Sequence, residues 1–394
     1  MNISDYRGIA VEGDLRAIEA MAGKLQGKKL LHVNSTAQGG GVAELLQRMV
    51  PLFRDLGIDV RWEVLKGSAP FFDVTKNMHN ALQGKGRPFT KEMWDIYEET
   101  NRKNAETLDL DADFTVLHDP QPAPLIDHVK RGLKLWRCHI DISTPDKSTW
   151  YFLKDIVEKF DASVFSVSSF AQTLSITQFL MHPSIDPLSE KNIELSDDEV
   201  RVVFSKFGVP MDKPILLQVS RFDPFKDPTG VIDAYRLVKK YHNCRLVLAG
   251  GTATDDPEGE RVLNEVREKA GDDPDIHILL LPPFSDRDIN ALQRGATIVL
   301  QKSVREGFGL VVAEALWKRK PVVADNVGGI PLQVIEGVTG FLVNSIDGAA
   351  YRIRQLLVNP GMAERMGEAA REHIRTNFLI TRNIKDYLAM WTAL

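Results

Sequence analysis

The sequence predicts an α/β protein built from two doubly wound, Rossmann-like domains, and three observations predict it. A chain of 394 residues exceeds what one hydrophobic core usually supports. Its composition, with 43% hydrophobic and 26% charged residues, is that of an ordinary globular protein. Short β-branched apolar runs alternate with longer amphipathic segments, and the alternation occurs twice along the chain. Two parallel sheets, each covered by helices on both faces, follow from this pattern.

The predicted strands form two series, separated by a segment that breaks both periodicities. The first series comprises Lys29 to Val33, Asp59 to Leu65, Phe114 to His118, Leu133 to Ile140 and Ser163 to Val167. The second comprises Pro214 to Ser220, Arg245 to Gly250, Ile276 to Leu281, Thr297 to Gln301 and Pro321 to Ala324. Prolines and acidic residues between His182 and Arg201 interrupt the pattern, which predicts a boundary near Lys206. We therefore expect domains at 1–205 and 206–377, with a terminal helix at about 378–394 that packs back on the first.

Charge, cysteine content and hydropathy exclude several classes of protein. A net charge of -5 gives no basic field for nucleic acid, and no apolar run approaches the roughly eighteen residues of a membrane span. Cys138 and Cys244 lack the spacing of a metal site. Charges within residues 1–13 interrupt the apolar core that a signal peptide needs. We expect a cytoplasmic enzyme that binds neither nucleic acid nor membrane and holds no metal or tightly bound cofactor; the oligomeric state, a homodimer included, stays open.

A pair of glutamates brackets a glycine turn in the second domain. Glu306 and Glu314 stand on either side of Gly307-Phe308-Gly309, after a buried strand and at the start of a helical pattern. In open α/β sheets ligands bind at this end of the strands, where the free N–H groups of a new helix attract anions. If the helix begins at Leu310, Glu314 lies one turn into it while Glu306 remains in the loop. The two carboxylates would then contact different parts of one extended ligand.

A carboxylate accepts two hydrogen bonds from vicinal hydroxyls, which suits a ribose or a hexose better than a phosphate. One glutamate for each sugar of the ligand is the favoured interpretation. A surface loop with a capping glutamate is the alternative for any single Glu-Gly pair.

A second motif carries two cations on one loop. Arg221 and Lys226 lie in the segment Ser220 to Pro228, directly after the first strand of the second domain. A guanidinium fork and an ammonium group can hold a diphosphate and stabilise the charge that develops as it leaves. The alternative is that both are ordinary solvated loop charges.

A glycine turn and two histidines are the candidates in the first domain. Gly39, Gly40 and Gly41 follow the first strand and would let backbone N–H groups approach a phosphate or sugar, although the spacing matches no phosphate-binding fingerprint. His118, followed by Asp119, and His139 end two strands of the same domain. Histidine can bind a sugar hydroxyl or transfer a proton, and Asp119 can bind hydroxyls of a sugar that accepts a glycosyl group. A buried structural histidine is the alternative for each.

These motifs resemble the retaining GT-B glycosyltransferases of family four, whose hallmark is a glutamate, seven residues and a second glutamate. Glu306 and Glu314 have that spacing, and the resemblance continues through Pro321 to Ala324, Gly328 to Pro331 and Gly337 to Val343. It covers nearly the whole second domain, whereas the first domain matches more loosely. The segments around His118 and His139 are most similar to the trehalose-forming branch, which includes trehalose phosphorylases and nucleotide-sugar-dependent synthases. The resemblance implies two domains with an active-site cleft between them.

The resemblance also implies roles for individual residues. Glu314 would hold the ribose hydroxyls of a nucleoside-diphosphate glucose such as UDP-glucose or ADP-glucose, and Glu306 its sugar. The implied set of residues for this sugar donor is Gly40, Gly41, Arg221, Lys226, Glu306, Gly307, Phe308, Gly309, Leu310, Val311 and Glu314. His118, Asp119 and His139 would bind the glucose acceptor. The implied catalytic set is Arg221, Lys226, His139, Glu306 and Asp119.

The favoured hypothesis is a retaining hexosyltransferase that joins glucose from a nucleotide sugar to free glucose, forming trehalose. Alternatives are a trehalose phosphorylase using glucose 1-phosphate, a sucrose- or glycan-forming transferase, a GT-B-like sugar-nucleotide epimerase and a non-catalytic nucleotide-sugar sensor. The sequence leaves open the base of the nucleotide, the direction of the reaction, and whether Mg²⁺ accompanies the diphosphate, since no Asp-x-Asp motif stands in a suitable loop.

Overall fold

The computed structural model of the chain describes residues 1–38, 41–251 and 257–394, with the side chains of 257 and 258 left aside. Two compact units share the chain. The first comprises Met1–Ser184 together with Ile380–Leu394, and the second comprises Ile185–Leu379.

The units divide before the boundary predicted near Lys206, because residues 185–206 are tied to the second unit. The Asn290 side chain donates hydrogen bonds to the carbonyls of Glu190, at 2.9 Å, and Ile193, at 2.8 Å. Arg294 forms a 2.5 Å salt bridge with Glu194. The acidic cluster that broke the sequence pattern therefore belongs to the second unit.

The first unit contains a six-stranded sheet in which all paired strands are parallel. Its strands are β1 (Lys29–Asn34), β2 (Asp59–Val64), β3 (Phe114–His118), β4 (Leu133–Cys138), β5 (Ala162–Phe165) and β6 (Thr177–Leu180), in the order β2-β1-β3-β4-β5-β6. The sequence did not predict β6, because this edge strand is short and mostly exposed. Its helices are α1 (Glu12–Lys24), α2 (Gly41–Asp55), α3 (Ala69–Leu82), α4 (Lys91–Thr107), α5 (Lys147–Val157) and α14 (Ile380–Ala393).

The second unit repeats this architecture. Its parallel strands are β7 (Ile215–Val219), β8 (Arg245–Gly250), β9 (Ile276–Leu280), β10 (Ile298–Gln301), β11 (Val322–Asp325) and β12 (Gly340–Val343), in the order β12-β11-β10-β7-β8-β9. Its helices are α6 (Asp197–Lys206), α7 (Pro228–Lys239), α8 (Pro257–Ala270), α9 (Asp286–Gly295), α10 (Leu310–Trp317), α11 (Ile330–Gln333), α12 (Ile346–Val358) and α13 (Pro360–Asn377). Short 3₁₀ turns lie at Ile3–Tyr6, Ala123–His128, Ser168–Phe170 and Pro224–Lys226.

The terminal helix α14 belongs to the core of the first unit. It packs against α1 and α2, and Trp391 lies 5.2 Å from Phe53 between ring centroids. Tyr387 and Trp391 are buried, and Lys385 forms a 2.7 Å salt bridge with Asp14 of α1. Within the described residues, no helix has both the length and the apolar character needed to cross a membrane.

Each sheet has one point, its switch point, where the order of its strands reverses. In the first unit it lies between β1 and β3, and in the second between β7 and β10. Loops that leave neighbouring strands there diverge to opposite faces, and ligands of open α/β sheets bind in the resulting crevice. All the predicted cationic, acidic and histidine motifs follow strands at or beside these two points.

Candidate active site

The two charged motifs of the second unit meet at its switch point. The backbone N–H of Val304, in the loop after β10, donates a 2.9 Å hydrogen bond to the carbonyl of Phe225, in the loop after β7. This contact joins the loops, and the Lys226 ammonium lies 2.6 Å from Oε2 of Glu306. The structure therefore brings together Lys226 and Glu306, which are far apart in sequence.

Polar side chains at the ends of β7 and β10 hold this pair. Gln301 Nε2 and Ser303 Oγ each lie 3.3 Å from Oε2 of Glu306. Gln218 Nε2 donates a 2.9 Å hydrogen bond to the carbonyl of Lys226. Because these three supporting side chains are buried, the carboxylate and the ammonium are held on a rigid base.

A buried ion pair lies beside the same two loops. Lys302, which follows β10, donates to Asp325 at the end of β11 at 2.8 Å, and lies 3.8 Å from Asp227. Asp227 begins α7, where its carboxylate accepts a 3.0 Å hydrogen bond from Gly230. Burial raises the pKa of Asp325, and the Lys302 ammonium opposes that shift. Lys302 thus links the ends of β10 and β11 to the start of α7.

Arg221 lies on the Lys226 loop but outside the Lys226–Glu306 pair. Its guanidinium is 3.0 Å from Asp223, and 63% of its side chain is exposed. Asp223 also accepts a 2.7 Å hydrogen bond from the N–H of Phe225, which shapes the loop. The Arg221 guanidinium is therefore available to a ligand that approaches from solvent.

The glycine turn shapes the loop that carries Glu306. Gly309 has φ +81° and precedes α10, which begins at Leu310 as predicted. No described side chain caps α10, and the N–H of Val312 donates to the Gly309 carbonyl at 2.9 Å, so the N–H groups of Leu310 and Val311 keep their capacity to bind an anion. Gly328 has φ +56°, and a Cβ atom there would lie 1.7 Å from the carbonyl oxygen of Glu306. Only glycine allows this approach between the loops after β10 and β11.

Glu314 lies one turn into α10 and is separate from the Lys226–Glu306 pair. Its side chain is buried, and Lys191 Nζ lies 4.0 Å from its Oε1. Next to it, the buried Lys318 ammonium donates to Gln293 at 2.7 Å and to Asn192 at 2.9 Å. Burial lowers the pKa of Lys318 to about 7, although the negative charge of Glu314 opposes the shift.

The histidine candidates of the first unit lie at its switch point. His118 is the last residue of β3, and His139 directly follows β4. Nδ1 of His118 lies 3.0 Å from Nε2 of His139. Nε2 of His118 lies 2.9 Å from Nδ1 of His32, in β1. Burial lowers the pKa of each imidazole, that of His32 to about 3. Three neutral rings in series therefore occupy this end of the sheet.

Asp119 adjoins the histidine series in a left-handed conformation, with φ +65°. Its Oδ1 accepts a 2.6 Å hydrogen bond from the backbone N–H of His139. Burial raises the pKa of Asp119 to about 7, against the opposing effects of that hydrogen bond and of Arg137. A carboxyl group in this state can act as a hydrogen-bond donor or acceptor near neutral pH.

The predicted glycine turn falls partly outside the described residues. Gly39 and Gly40 lie there, and Gly41 is the first residue of α2. Sequence analysis also missed the supporting residues His32, Gln218, Gln301, Ser303 and Lys302. Three of them could have been identified from the sequence, because His32, Gln218 and Gln301 are polar residues within otherwise apolar strands. Among the described side chains, no three His, Cys, Asp or Glu groups gather as metal ligands would.

Comparison with known proteins identifies relatives over the full length. A model of the trehalose synthase N-terminal domain matches residues 32–172, and a model of group 1 glycosyl transferases matches 200–373. The trehalose synthases of Thermococcus litoralis and Pyrococcus furiosus are each 48% identical to this chain, over 98% of it and 95% of their own length. The trehalose phosphorylase of Pleurotus pulmonarius is more distant, at 29% identity over 95% of this chain and 58% of its own.

Solved structures share the fold at low identity. The sucrose-phosphate synthase of Thermosynechococcus elongatus superposes with a TM-score of 0.71 at 17% identity, covering 93% of this chain and 100% of its own. The trehalose-6-phosphate synthase OtsA has a TM-score of 0.73 at 15% identity, covering 93% and 98%. With the synthases that match nearly the whole chain, these findings show that it belongs to the trehalose synthase branch of the family-four GT-B glycosyltransferases and is a hexosyltransferase.

Proposed function

We propose that this hexosyltransferase makes trehalose by transferring glucose from a nucleoside-diphosphate glucose to free glucose, with retention of configuration, in a reversible reaction. The observation that carries the proposal is the 2.6 Å pair of Lys226 and Glu306, joined from two loops at the switch point beside the start of α10. One charge suits a phosphate and the other suits sugar hydroxyls. The names of the trehalose synthase relatives supply the product.

The proposed step is a front-face substitution at the anomeric carbon. The bond from that carbon to the diphosphate breaks, and the bond to the acceptor oxygen forms on the same face. The departing phosphate oxygen takes the acceptor proton, while Arg221 and Lys226 stabilise the diphosphate. The salt bridge to Lys226 disfavours Glu306 as a nucleophile, since an ammonium 2.6 Å away stabilises the free carboxylate.

The remaining roles are part of the same proposal. Glu306 binds the transferred glucose, Glu314 the ribose, and the backbone of residues 307–311 the phosphates. His118, Asp119 and His139 bind the acceptor, with His139 next to the reacting sugar. Neutral imidazoles beside a carboxyl group of raised pKa favour uncharged glucose over glucose 6-phosphate as that acceptor.

A phosphorylase that uses glucose 1-phosphate is the second candidate, favoured by the 29% identity to a trehalose phosphorylase. The cationic pair suits free phosphate as well as a diphosphate. The buried carboxylate of Glu314 favours the synthase, since glucose 1-phosphate has no ribose for it to bind.

A matrix of sugar donors and acceptors tests the proposal. UDP-, ADP- and GDP-glucose and glucose 1-phosphate are each incubated with glucose or glucose 6-phosphate, with and without Mg²⁺. Products are separated by chromatography, and the linkage is assigned by NMR. We expect α,α-trehalose from glucose and at least one nucleotide sugar. Trehalose from glucose 1-phosphate alone would establish the phosphorylase, and no trehalose from any combination would refute both.

We propose that the enzyme works in the cytoplasm. Both cysteines are buried and unpaired, which suits this reducing compartment. The diphosphate charge is matched by Arg221 and Lys226, so activity should persist in EDTA.

A further inference from the structure

Three histidines of the first unit form one hydrogen-bonded series with two distinct ends. His32 and His118 are buried, and His139 is partly exposed. Both ring nitrogens of His118 lie within the series, at 2.9 Å from His32 and 3.0 Å from His139. The inner end is Nε2 of His32. The outer end is Nδ1 of His139, which has no hydrogen-bond partner among the described residues.

The three rings are neutral near pH 7, and this limits where their protons lie. Burial and the nearby Arg137 guanidinium both lower the pKa of His118 and His139. Arg137 is itself buried and donates to the carbonyl of Met181 at 2.6 Å. A neutral imidazole has one N–H donor and one bare acceptor nitrogen. Two arrangements therefore satisfy both hydrogen bonds: every N–H points towards His139, or every N–H points towards His32.

The inner end favours the arrangement that points towards His139. Nε2 of His32 is buried without a partner among the described residues. Its ring lies 6.2 Å from Tyr387 and 6.5 Å from Trp391, measured between centroids. The Tyr387 hydroxyl and the Trp391 N–H are also buried without partners there; the hydroxyl can donate or accept, whereas the indole N–H can only donate. A bare Nε2 adds an acceptor where both neighbouring groups can donate, whereas an N–H would add a second donor beside the indole N–H and leave the Tyr387 oxygen as the one acceptor among these groups.

We propose that His32 and His118 are positioning residues that hold His139 in its Nδ1–H tautomer, so that His139 presents a fixed hydrogen-bond donor to an oxygen of the bound sugar. The sugar as ligand rests on the proposed function, whereas the tautomer follows from the chain itself. Because both ring nitrogens of His118 are hydrogen-bonded within the series, the tautomer of His32 fixes that of His118, which in turn fixes that of His139. The series excludes the Nε2–H tautomer of His139, in which Nδ1 would be a hydrogen-bond acceptor.

Ring-nitrogen NMR tests the tautomer directly. The full chain is labelled with ¹⁵N-histidine, and the signals are assigned through single histidine variants. We expect Nδ1 of His139 to be protonated and Nε2 to be bare at pH 7.5. The opposite protonation of His139 would overturn the proposal. No sugar is present, so the result is independent of whether the chain makes trehalose.

Variants at His32 test whether the inner end controls the outer one. His32→Leu removes the donor to His118, whereas His32→Asn keeps an amide N–H near the position of Nδ1. We expect His32→Leu to give His139 signals of mixed tautomers and to lower kcat about 10-fold, with a smaller change in KM. His32→Asn should restore both. Unchanged His139 signals in folded His32→Leu would overturn the proposal.

A matched control and a safeguard complete the experiment. His277, a partly buried histidine of the second unit with an unpartnered Nε2, lies outside the series. His277→Leu should leave the His139 signals and kcat unchanged; a change would refute control by the series. If His32→Leu fails to fold, His32→Asn still decides, because mixed tautomers in that variant would contradict the proposal.

Discussion

The two switch points occupy equivalent positions in two copies of one architecture, yet their chemistry is opposite. In the second unit, Lys226 pairs with Glu306 and Lys302 with Asp325, so two salt bridges lie at the strand ends. In the first unit, the corresponding position holds a series of neutral imidazoles and a carboxyl group whose pKa is about 7. Paired charges suit a diphosphate sugar, and neutral hydrogen-bonding groups suit a free sugar. The fold supplies the position, and the strand-end residues decide which part of a reaction it can serve.

The largest effect should come from removing the cations of the second unit. Arg221→Ala combined with Lys226→Ala should lower kcat by about 1,000-fold, because the leaving diphosphate loses its charge stabilisation. Trehalose formation at saturating nucleotide glucose measures the effect.

The control for this prediction removes an exposed arginine of α8 and an exposed lysine directly after α7, both in the same unit. Arg267→Ala with Lys240→Ala makes the same change in net charge away from the switch point. Near-normal turnover in the switch-point variant, or an equal loss in the control, would contradict a role in catalysis.

The neutral switch point should make the first unit sensitive to acid. The pKa values of three histidines are lowered, so below pH 6.5 the unfolded chain binds protons there that the folded unit does not. Asp119, with its pKa raised to about 7, acts oppositely, because between about pH 4 and 7 the folded unit holds its proton. Between about pH 6.5 and 4 the net difference of two protons predicts that the free energy of unfolding falls with pH by at most about 3 kcal/mol per pH unit.

Hydrogen exchange measured by mass spectrometry reports the two units separately, and it should show this loss in the sheet of the first unit. His32→Leu removes one of the three histidines and should reduce the dependence by about 1.4 kcal/mol per pH unit. Equal acid sensitivity in wild type and variant would mean that His32 is protonated in the folded unit.

A smaller effect should follow from disturbing the loop that carries Glu306. Gly328→Ala places a Cβ atom 1.7 Å from the Glu306 carbonyl oxygen, in addition to straining a positive φ. Gly208→Ala strains a similar φ, +64°, with open space around the new atom. We expect Gly328→Ala to lower the free energy of unfolding by about 2 kcal/mol more than Gly208→Ala. Denaturant unfolding of both variants measures the difference, and equal losses would show that the loops tolerate separation.

The sequence predicted most of the fold because its strong signals are local. Ten of the twelve strands found in the described residues appear as apolar runs, and Gly309 marked the start of α10 correctly. The strands β6 and β12 were missed, because each is a four-residue edge strand without a distinct pattern. The predicted domain boundary near Lys206 lies after the division between Ser184 and Ile185. The contacts that tie residues 185–206 to α9 connect residues about a hundred positions apart, which no local pattern reveals.

The site was predictable only in part, for the same reason. Motifs identified Lys226 and Glu306 separately, but their pairing depends on the neighbouring positions of β7 and β10 in the sheet. His32 gave no motif, and its link to His118 depends on the pairing of β1 with β3. Local sequence spacing can identify the polar side chains that follow strands. The order of the strands in the sheet determines which of these side chains come into contact.

The smallest effect should come from Glu314, the residue proposed to bind the ribose. Glu314→Gln keeps the size of the buried side chain but removes its charge, so it weakens ribose binding while leaving the Lys226–Glu306 pair in place. We expect KM for the nucleotide glucose to rise about 10-fold, with kcat unchanged within about 2-fold, because the ribose contacts are the same in the ground state and the transition state. Glu368→Gln, an exposed glutamate on α13, serves as the control and should leave both constants unchanged. A fall in kcat with KM unchanged would place Glu314 with the reacting groups, and the division of labour between the two glutamates would be wrong.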